Sequence, residues 1–255
     1  MLPDAILLHD PGGVPVGLQP ETGAAALVCV DCGCSVPSPP QPPRHLNLGA
    51  ALLGRNDALA AQLRQRFDVA ALPVVNLLSS PGSGKTALLE RLGAHLNAAG
   101  RRAAVIVGDL ATDNDARRLQ AAGLTAVQIT TGQACHLEAA MVARALEALP
   151  QPLEAYDLLL IENVGNLVCP AAYDLGESRR LVLLSVTEGE DKPLKYPATF
   201  HGADLVVISK LDLLAATGFD LQRARHHIAR VAPQAQVLEV SARTGAGMAQ
   251  LCGLL

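Results

Sequence analysis

The sequence predicts an α/β fold of three layers, a mostly parallel sheet with helices on both faces, behind a flexible N-terminal arm. Three observations lead there. Seven short apolar runs, at 74–78, 103–107, 125–130, 156–162, 180–186, 203–209 and 235–240, show almost no polar alternation, as expected of strands buried on both faces. Stretches of helical length separate most of these runs, the pattern of crossover connections. An apolar fraction of 50% over 255 residues fits a well-filled core and excludes general disorder.

Taken in order, residues 1–28 are rich in Gly, Pro and Ala and carry no sustained periodicity, so they are expected to be flexible. "SVPSPPQPP", 35–43, reads as a polyproline-II-type tether. Residues 1–44 are therefore an arm, and the folded domain spans 45–255. Between 46 and 67, Leu48, Leu52, Leu59 and Leu63 recur at near-helical spacing, which predicts a leading amphipathic helix. Pro73 then opens the alternation of strands and helices. Ligands of such sheets bind beyond the carboxyl ends of the strands, and the motifs fall there.

Composition removes several classes of partner. The net charge is −4, with 20 basic and 24 acidic residues mixed along the chain, so no basic stripe offers itself to nucleic acid. No apolar run reaches bilayer length, and the first residues lack a basic n-region. A cytoplasmic protein is expected, and six cysteines in a reducing compartment are better read as ligands or reactive groups than as disulfides. Only four lysines stand against 16 arginines: Lys85, Lys192, Lys195 and Lys210. They fall where a compact ammonium is useful rather than a planar fork.

The first of them lies in "VVNLLSSPGSGKTALLERLGAHL", a strand, a glycine loop and a helix. Around Pro81 and Ser83, Gly82 and Gly84 let backbone N–H groups approach phosphate oxygens, and the helix adds its positive end. Lys85 would reach the β- and γ-phosphates, and Thr86 would offer its hydroxyl to Mg²⁺. Ser79 stands where the general G-x-x-x-x-G-K-[ST] pattern has its first glycine. The context is that of a P-loop NTPase.

"VVISKLDLL" ends a later strand with Ser209, Lys210 and Asp212. A carboxylate there can accept from N1–H and the exocyclic amine of guanine, a donor pair that adenine lacks. Lys210 would lay its stem over the purine. The element resembles the N-K-x-D motif of GTPases with Ser209 in place of Asn, which is expected to weaken base recognition without reversing it. Ser241, Ala242 and Arg243 follow the last strand, where such proteins close a loop over guanine. Asp109 and Glu162 end two further strands and suit Mg²⁺ and its ordered waters. Gly165, three residues after Glu162, resembles the D-x-x-G switch whose glycine N–H meets the γ-phosphate.

Two sulfur clusters remain. Cys135 and His136, at the predicted start of a helix, and Cys169, four residues after Gly165, together suit Zn²⁺ or Ni²⁺ with a fourth position open. Metal affinity would then answer to the same segment that senses γ-phosphate. "VCVDCGCSV", 28–36, places Cys29, Cys32 and Cys34 on the arm. Thiols this close can pair, perform redox chemistry or hold a metal. Redox C-x-x-C pairs usually sit at the tip of a helix, whereas three thiolates on a tether can wrap a soft or borderline cation without any fold.

Taken together, Cys-x-x-Cys-Gly-Cys, S-S-P-G-S-G-K-T, C-H, E-N-V-G-N-L-V-C-P and E-G-E-D-K-P-L-K-Y-P closely resemble the HypB family, GTPases that deliver nickel during maturation of [NiFe] hydrogenases. The likeness covers about residues 45–255 and the cysteine arm. It implies GTP hydrolysis to GDP with Mg²⁺, a tight metal site at Cys29, Cys32 and Cys34, and a weaker Ni²⁺ or Zn²⁺ site at Cys135, His136 and Cys169. It also implies a nucleotide- or metal-dependent homodimer, a HypA-like nickel maturation protein as partner, and the hydrogenase large subunit as recipient. The family's cysteine motif commonly starts near the first residue, whereas 28 residues precede Cys29 here. Lys192, in the last of these motifs, is expected near the nucleotide and the dimer face. The alternatives are a urease-type nickel GTPase and a zinc-binding regulatory switch that needs no hydrolysis.

Overall fold

A computed structural model describes residues 48–255. The arm cysteines Cys29, Cys32 and Cys34 and the proline-rich stretch lie outside the described residues. All seven expected strands form: β1 Val74–Ser79, β2 Ala103–Asp109, β3 Thr125–Thr130, β4 Leu158–Glu162, β5 Arg179–Ser185, β6 Leu205–Ser209 and β7 Gln236–Glu239. They make one parallel sheet in the order β3-β2-β4-β1-β5-β6-β7. The helices are α1 Leu48–Val69, α2 Lys85–Ala98, α3 Asn114–Ala121, α4 Ala139–Glu147, α5 Lys192–Lys195, α6 Pro197–His201, α7 Leu214–Thr217, α8 Leu221–Val231 and α9 Met248–Leu254.

The absence of polar alternation has its expected meaning, because successive residues of a strand enter different cores. Val75, Leu77, Val105, Val107, Leu158 and Leu160 pack under α2, α3 and α9 with Leu88, Leu92, Leu119 and Leu251. Their neighbours Val74, Ala104, Ile106, Leu159 and Ile161 face α1 and α4. Further along the same face, Leu78, Val182, Leu184, Val206 and Ile208 meet α6 and α8. Each such leucine or valine contributes about 1.5–3 kcal/mol on leaving water. The central strands are therefore rigid, and their carboxyl tips are well-fixed mounting points.

The leading helix forms, and of the leucines that mark it Leu63 faces the core while Leu52 and Leu59 do not. Leu52 and Leu59 are exposed, while Asn56, Ala60, Leu63 and Phe67 are buried, an i, i+4, i+7, i+11 stripe. Asn56 belongs to the inner face because both ends of its amide are satisfied there. Its Oδ1 accepts from Ala139 N at 2.8 Å, and its Nδ2 donates to Asp174 O at 2.8 Å. A buried amide with full pairing is stable where an unpaired one is not.

The chain leaves β1 toward β2 and β3 on one side, returns to insert β4 between β2 and β1, and then continues through β5, β6 and β7 on the other side. The glycine loop thus sits at the reversal of strand order, where open α/β sheets form their crevice.

Candidate functional site

The loop after β1 is shaped to receive an anion. Gly84 precedes α2 at φ +98°, and Gly82 lies at φ +72°, conformations that a side chain strains. Lys85, the first residue of α2, is buried, with its ammonium donating to Ser79 Oγ at 2.8 Å. Burial pushes its pKa down, against the pull of the Glu162 carboxylate. Thr86 Oγ1 donates to Glu162 Oε1 at 2.8 Å. The other oxygen, Glu162 Oε2, is buried with no hydrogen-bond partner among the described residues, as is Ser83 Oγ. Burial raises the Glu162 pKa to about 7, the nearby Lys85 charge and the Thr86 hydrogen bond notwithstanding. A hydroxyl beside an orphaned carboxylate oxygen is a donor set that fits Mg²⁺.

Gly82, Gly84, Lys85, Thr86 and Glu162 line a cavity of about 390 Å³ together with Asp109, Asp115, Arg118 and Gly165. Asp109 ends β2, and its Oδ2 accepts from Thr112 N at 2.9 Å and from Thr112 Oγ1 at 2.7 Å. Burial opposes ionisation there, but the Thr112 hydrogen bonds hold the carboxyl below the usual carboxylate range. Asp115 and Arg118 of α3 escaped the sequence reading. Arg118 is clamped by Glu90 at 2.8 Å and by Asp115 at 3.4 Å. Only the position of α3, directly after the Asp109 tip, could have pointed to it.

The elements expected at a base gather on the other side of the loop. Ser209 Oγ donates to Ser83 O at 2.8 Å, and Lys210 Nζ reaches Gly82 O at 2.6 Å. Lys210 holds a left-handed backbone at φ +59°, uncommon for a residue with a side chain. Asp212 Oδ1 accepts from Ser241 Oγ at 2.5 Å, and Ser241 Oγ in turn accepts from Thr244 N. Ala242 and Arg243 continue this turn, with the arginine exposed. Lys192 lies beside the loop as well, its Nζ 3.3 Å from both Ser80 Oγ and Glu188 Oε2.

Cys135, His136 and Cys169 also come together. Their ligand atoms all lie within 4.8 Å of one another, although they belong to separate segments following β3 and β4. His136 is stacked on Tyr173 at 3.9 Å. Its Nε2 is buried without a hydrogen-bond partner among the described residues. The Cys135 sulfur, placed to accept from the Cys169 S–H, pushes the Cys169 thiol pKa up. Two sulfurs and an imidazole, whose Nδ1 lies 3.9 Å from Cys135 Sγ and whose Nε2 lies 3.6 Å from Glu138 Oε1, fit a borderline divalent metal. One detail departs from expectation. Cys135 and His136 do not start a helix, because α4 begins only at Ala139. The N–H groups of Leu137 and Ala139 are taken by Asn163 Oδ1 and Asn56 Oδ1, which holds the preceding residues in an open loop facing Cys169.

The cradle and the thiol cluster are joined by one strip of chain. Glu162 faces Thr86, and Gly165 lies against the loop so closely that a Cβ there would meet Pro81 Cα at 2.9 Å. Asn166 pairs with Ser79 in an antiparallel bridge, and Cys169 follows three residues later.

The fold and the cradle define a nucleotide-binding protein of the P-loop class, and residues 73–239 match the CobW/HypB/UreG nucleotide-binding domain. Within that class the chain belongs to the HypB family. It is 53% identical to the hydrogenase maturation factor HypB of Azotobacter chroococcum mcd 1 over 81% of this chain and 67% of that protein. Among solved structures it resembles HypB from Helicobacter pylori in complex with nickel (42% identity, TM-score 0.75, covering 78% of this chain and 93% of that one). It also resembles the hydrogenase maturation factor HypB from Archaeoglobus fulgidus (36% identity, TM-score 0.72, covering 79% and 97%). Among the described residues, no helix is long and apolar enough to cross a membrane.

Proposed function

We propose that this chain is a GTP-hydrolysing nickel metallochaperone, which supplies nickel to the large subunit of a [NiFe] hydrogenase in the cytoplasm. The observation that carries this reading is the strip from Glu162 to Cys169, which touches the phosphate cradle at one end and contributes a thiol to the metal cluster at the other. Lys85 and the N–H groups around Pro81, Gly82, Ser83 and Gly84 bind the phosphates of GTP, and the buried ammonium stabilises charge on the terminal one. Thr86 and Glu162, with Asp109, would hold Mg²⁺, which neutralises charge on the phosphate oxygens when bound. Gly165 offers its N–H to the γ-phosphate, so hydrolysis releases the strip.

Asp212 reads guanine, Lys210 covers it, and the turn of Ser241, Ala242 and Arg243 closes the pocket. The Ser209 hydroxyl supports the glycine loop through Ser83 O. Cys135, His136 and Cys169 hold the travelling metal, Ni²⁺ in transfer and Zn²⁺ in competition with it. Residues 1–44 form an arm on which Cys29, Cys32 and Cys34 capture metal for a domain that starts at 45. A HypA-like protein and a second copy of the chain are its partners in the cycle.

Two measurements test this. Lys85→Ala is expected to abolish GTP turnover and hydrogenase activation, and normal activation in that variant rejects hydrolysis as the driver. Nickel affinity is expected to differ between GDP and a non-hydrolysable GTP analogue, and that difference should vanish in Cys169→Ser. Identical affinities in the unaltered chain reject the coupling.

A further inference from the structure

Three asparagines hold the loop that carries Cys135 and His136, and they hold it to different parts of the molecule. Asn163 Oδ1 accepts from Leu137 N at 3.2 Å and also from Val164 N at 2.9 Å. Asn166 Nδ2 donates to Cys135 O at 3.3 Å, while its Oδ1 accepts from Val168 N at 2.9 Å. The backbone on both sides of His136 is therefore fastened to the strip that runs past the phosphate cradle. The third, Asn56, ties Ala139 N and Asp174 O to α1, and no residue of α1 lines the phosphate cavity.

We infer that Asn163 and Asn166 are positioning residues that transmit nucleotide state to Cys135 and His136, and that Asn56 is the fixed anchor against which the loop moves. The inference rests on the metal-coupled reading of the site and adds its mechanical parts. When the strip shifts at Gly165, the two side-chain amides must carry residues 135–137 with them or lose their hydrogen bonds. Asn56 holds Ala139 and Asp174 in place meanwhile, so the motion is concentrated between the fastened ends. Cys169, the third ligand, lies beyond Asn166 on the strip itself. A displacement therefore appears as a change in the sulfur–nitrogen–sulfur spacing, to which the affinity of a three-ligand metal site is sensitive.

The amides also differ in surroundings, which gives the test its handle. Asn163 is fully buried and donates to Asn76 Oδ1 at 3.3 Å, so replacing it risks the fold. Asn166 is half-buried. Asn166→Asp keeps the acceptor for Val168 N and deletes the donor to Cys135 O, at the cost of a negative charge beside the thiols, whereas Asn166→Ala deletes both hydrogen bonds and adds no charge.

The experiment is nickel titration of the full chain in competition with a chelator, in Mg·GDP and in Mg²⁺ with a non-hydrolysable GTP analogue. A Cys169→Ser control reports binding by the rest of the chain. The unaltered chain should show affinities that differ by about fivefold or more between nucleotide states. In Asn166→Ala this ratio should fall to within about twofold of unity, with affinity in the GDP state kept within about threefold of the unaltered chain, and Asn166→Asp should lose the ratio likewise while its added charge shifts affinity in both states together. Asn56→Ala should weaken nickel binding in both states by one common factor and leave the ratio intact. If the unaltered chain is coupled and Asn166→Ala keeps the full ratio, or loses affinity equally in both states, the transmitting role is wrong while the coupled reading stands. If the unaltered chain shows no ratio at all, the coupled reading fails and takes this inference with it.

Discussion

Glu162 shows how a buried carboxyl at the phosphate cradle can lower stability. Its carboxyl titrates near 7 rather than at the ordinary 4.5, because burial outweighs the charge of Lys85 and the hydroxyl of Thr86. Asp115 also opposes ionisation, and Arg118 favours it. In the ligand-free protein the folded state thus keeps a proton that the unfolded chain releases. Stability falls as pH rises from about 4.5 to about 7 by this group alone, and the cost persists above 7. Glu162→Gln should therefore leave ligand-free stability nearly unchanged at pH 4.5 and raise it at pH 8 by up to about 3 kcal/mol. Urea unfolding at the two pH values measures this, and an equal gain at both would assign the effect to packing. Gly165 makes the opposite kind of demand, for space rather than charge. An added methyl would meet Pro81 Cα at 2.9 Å and its nitrogen at 3.2 Å, both backbone atoms. Gly165→Ala is expected to push the strip off the loop and weaken binding of a GTP analogue about tenfold, roughly 1.4 kcal/mol. GDP should lose less, and equal losses for both would show that Gly165 does not sense the terminal phosphate.

At the scale of elements, the joint between α1 and the segment before β5 is the most exacting. Gly176 lies at φ +82°, and a Cβ there would meet Ala60 O at 2.9 Å and Arg64 N at 3.0 Å. Gly176→Ala thus combines backbone strain with a collision against the body of α1, and should destabilise by about 2 kcal/mol or more. Gly100→Ala is the matched control, since its φ is +71° but nothing lies within 4 Å; it should cost about 1 kcal/mol. Urea midpoints compare the two, and equal losses would leave strain as the whole effect. This joint also marks the boundary of what the sequence discloses. The strands were readable because burial on both faces removes polar alternation, a local signal. The glycine loop was readable because phosphate approach restricts residue type at fixed spacing. The inner face of α1 was readable only at Leu63, since Leu52 and Leu59 are exposed and a polar residue, Asn56, is buried beside Ala60. The burial of Asn56 depends on Ala139 and Asp174, 83 and 118 residues away. The open loop at Cys135 was missed for the same reason, because its N–H groups are claimed by side chains from elsewhere in the chain. Cys135, His136 and Cys169 were nevertheless legible as a set from residue chemistry, although nothing in their spacing gives the Tyr173 stack.

For the molecule as a whole, the decisive property is reciprocity. If nucleotide state alters nickel affinity through the strip from Glu162 to Cys169, nickel must alter the difference between GTP-analogue and GDP affinity by the same factor. The two sites lie at the ends of neighbouring strand tips on a sheet whose central strands are buried on both faces. The sheet therefore acts as a rigid frame, and the strip and the Cys135 loop supply the freedom between the sites. A coupling of about fivefold corresponds to roughly 1 kcal/mol, small beside the several kcal/mol that hold a domain folded, so transmission need not loosen the core. Nucleotide affinities measured with and without nickel should give the same ratio that nickel titrations give across nucleotide states. Cys169→Ser should bring both ratios to unity while retaining binding of GDP. Should nickel titrations differ between nucleotides and the reverse measurement show no change, the nickel added in the reverse measurement has filled a site that does not communicate with the nucleotide, for which the arm thiols Cys29, Cys32 and Cys34 are the first candidates. A chain with Cys32→Ser would then restore agreement between the two ratios, because every remaining nickel ion would report on the cluster that the strip controls.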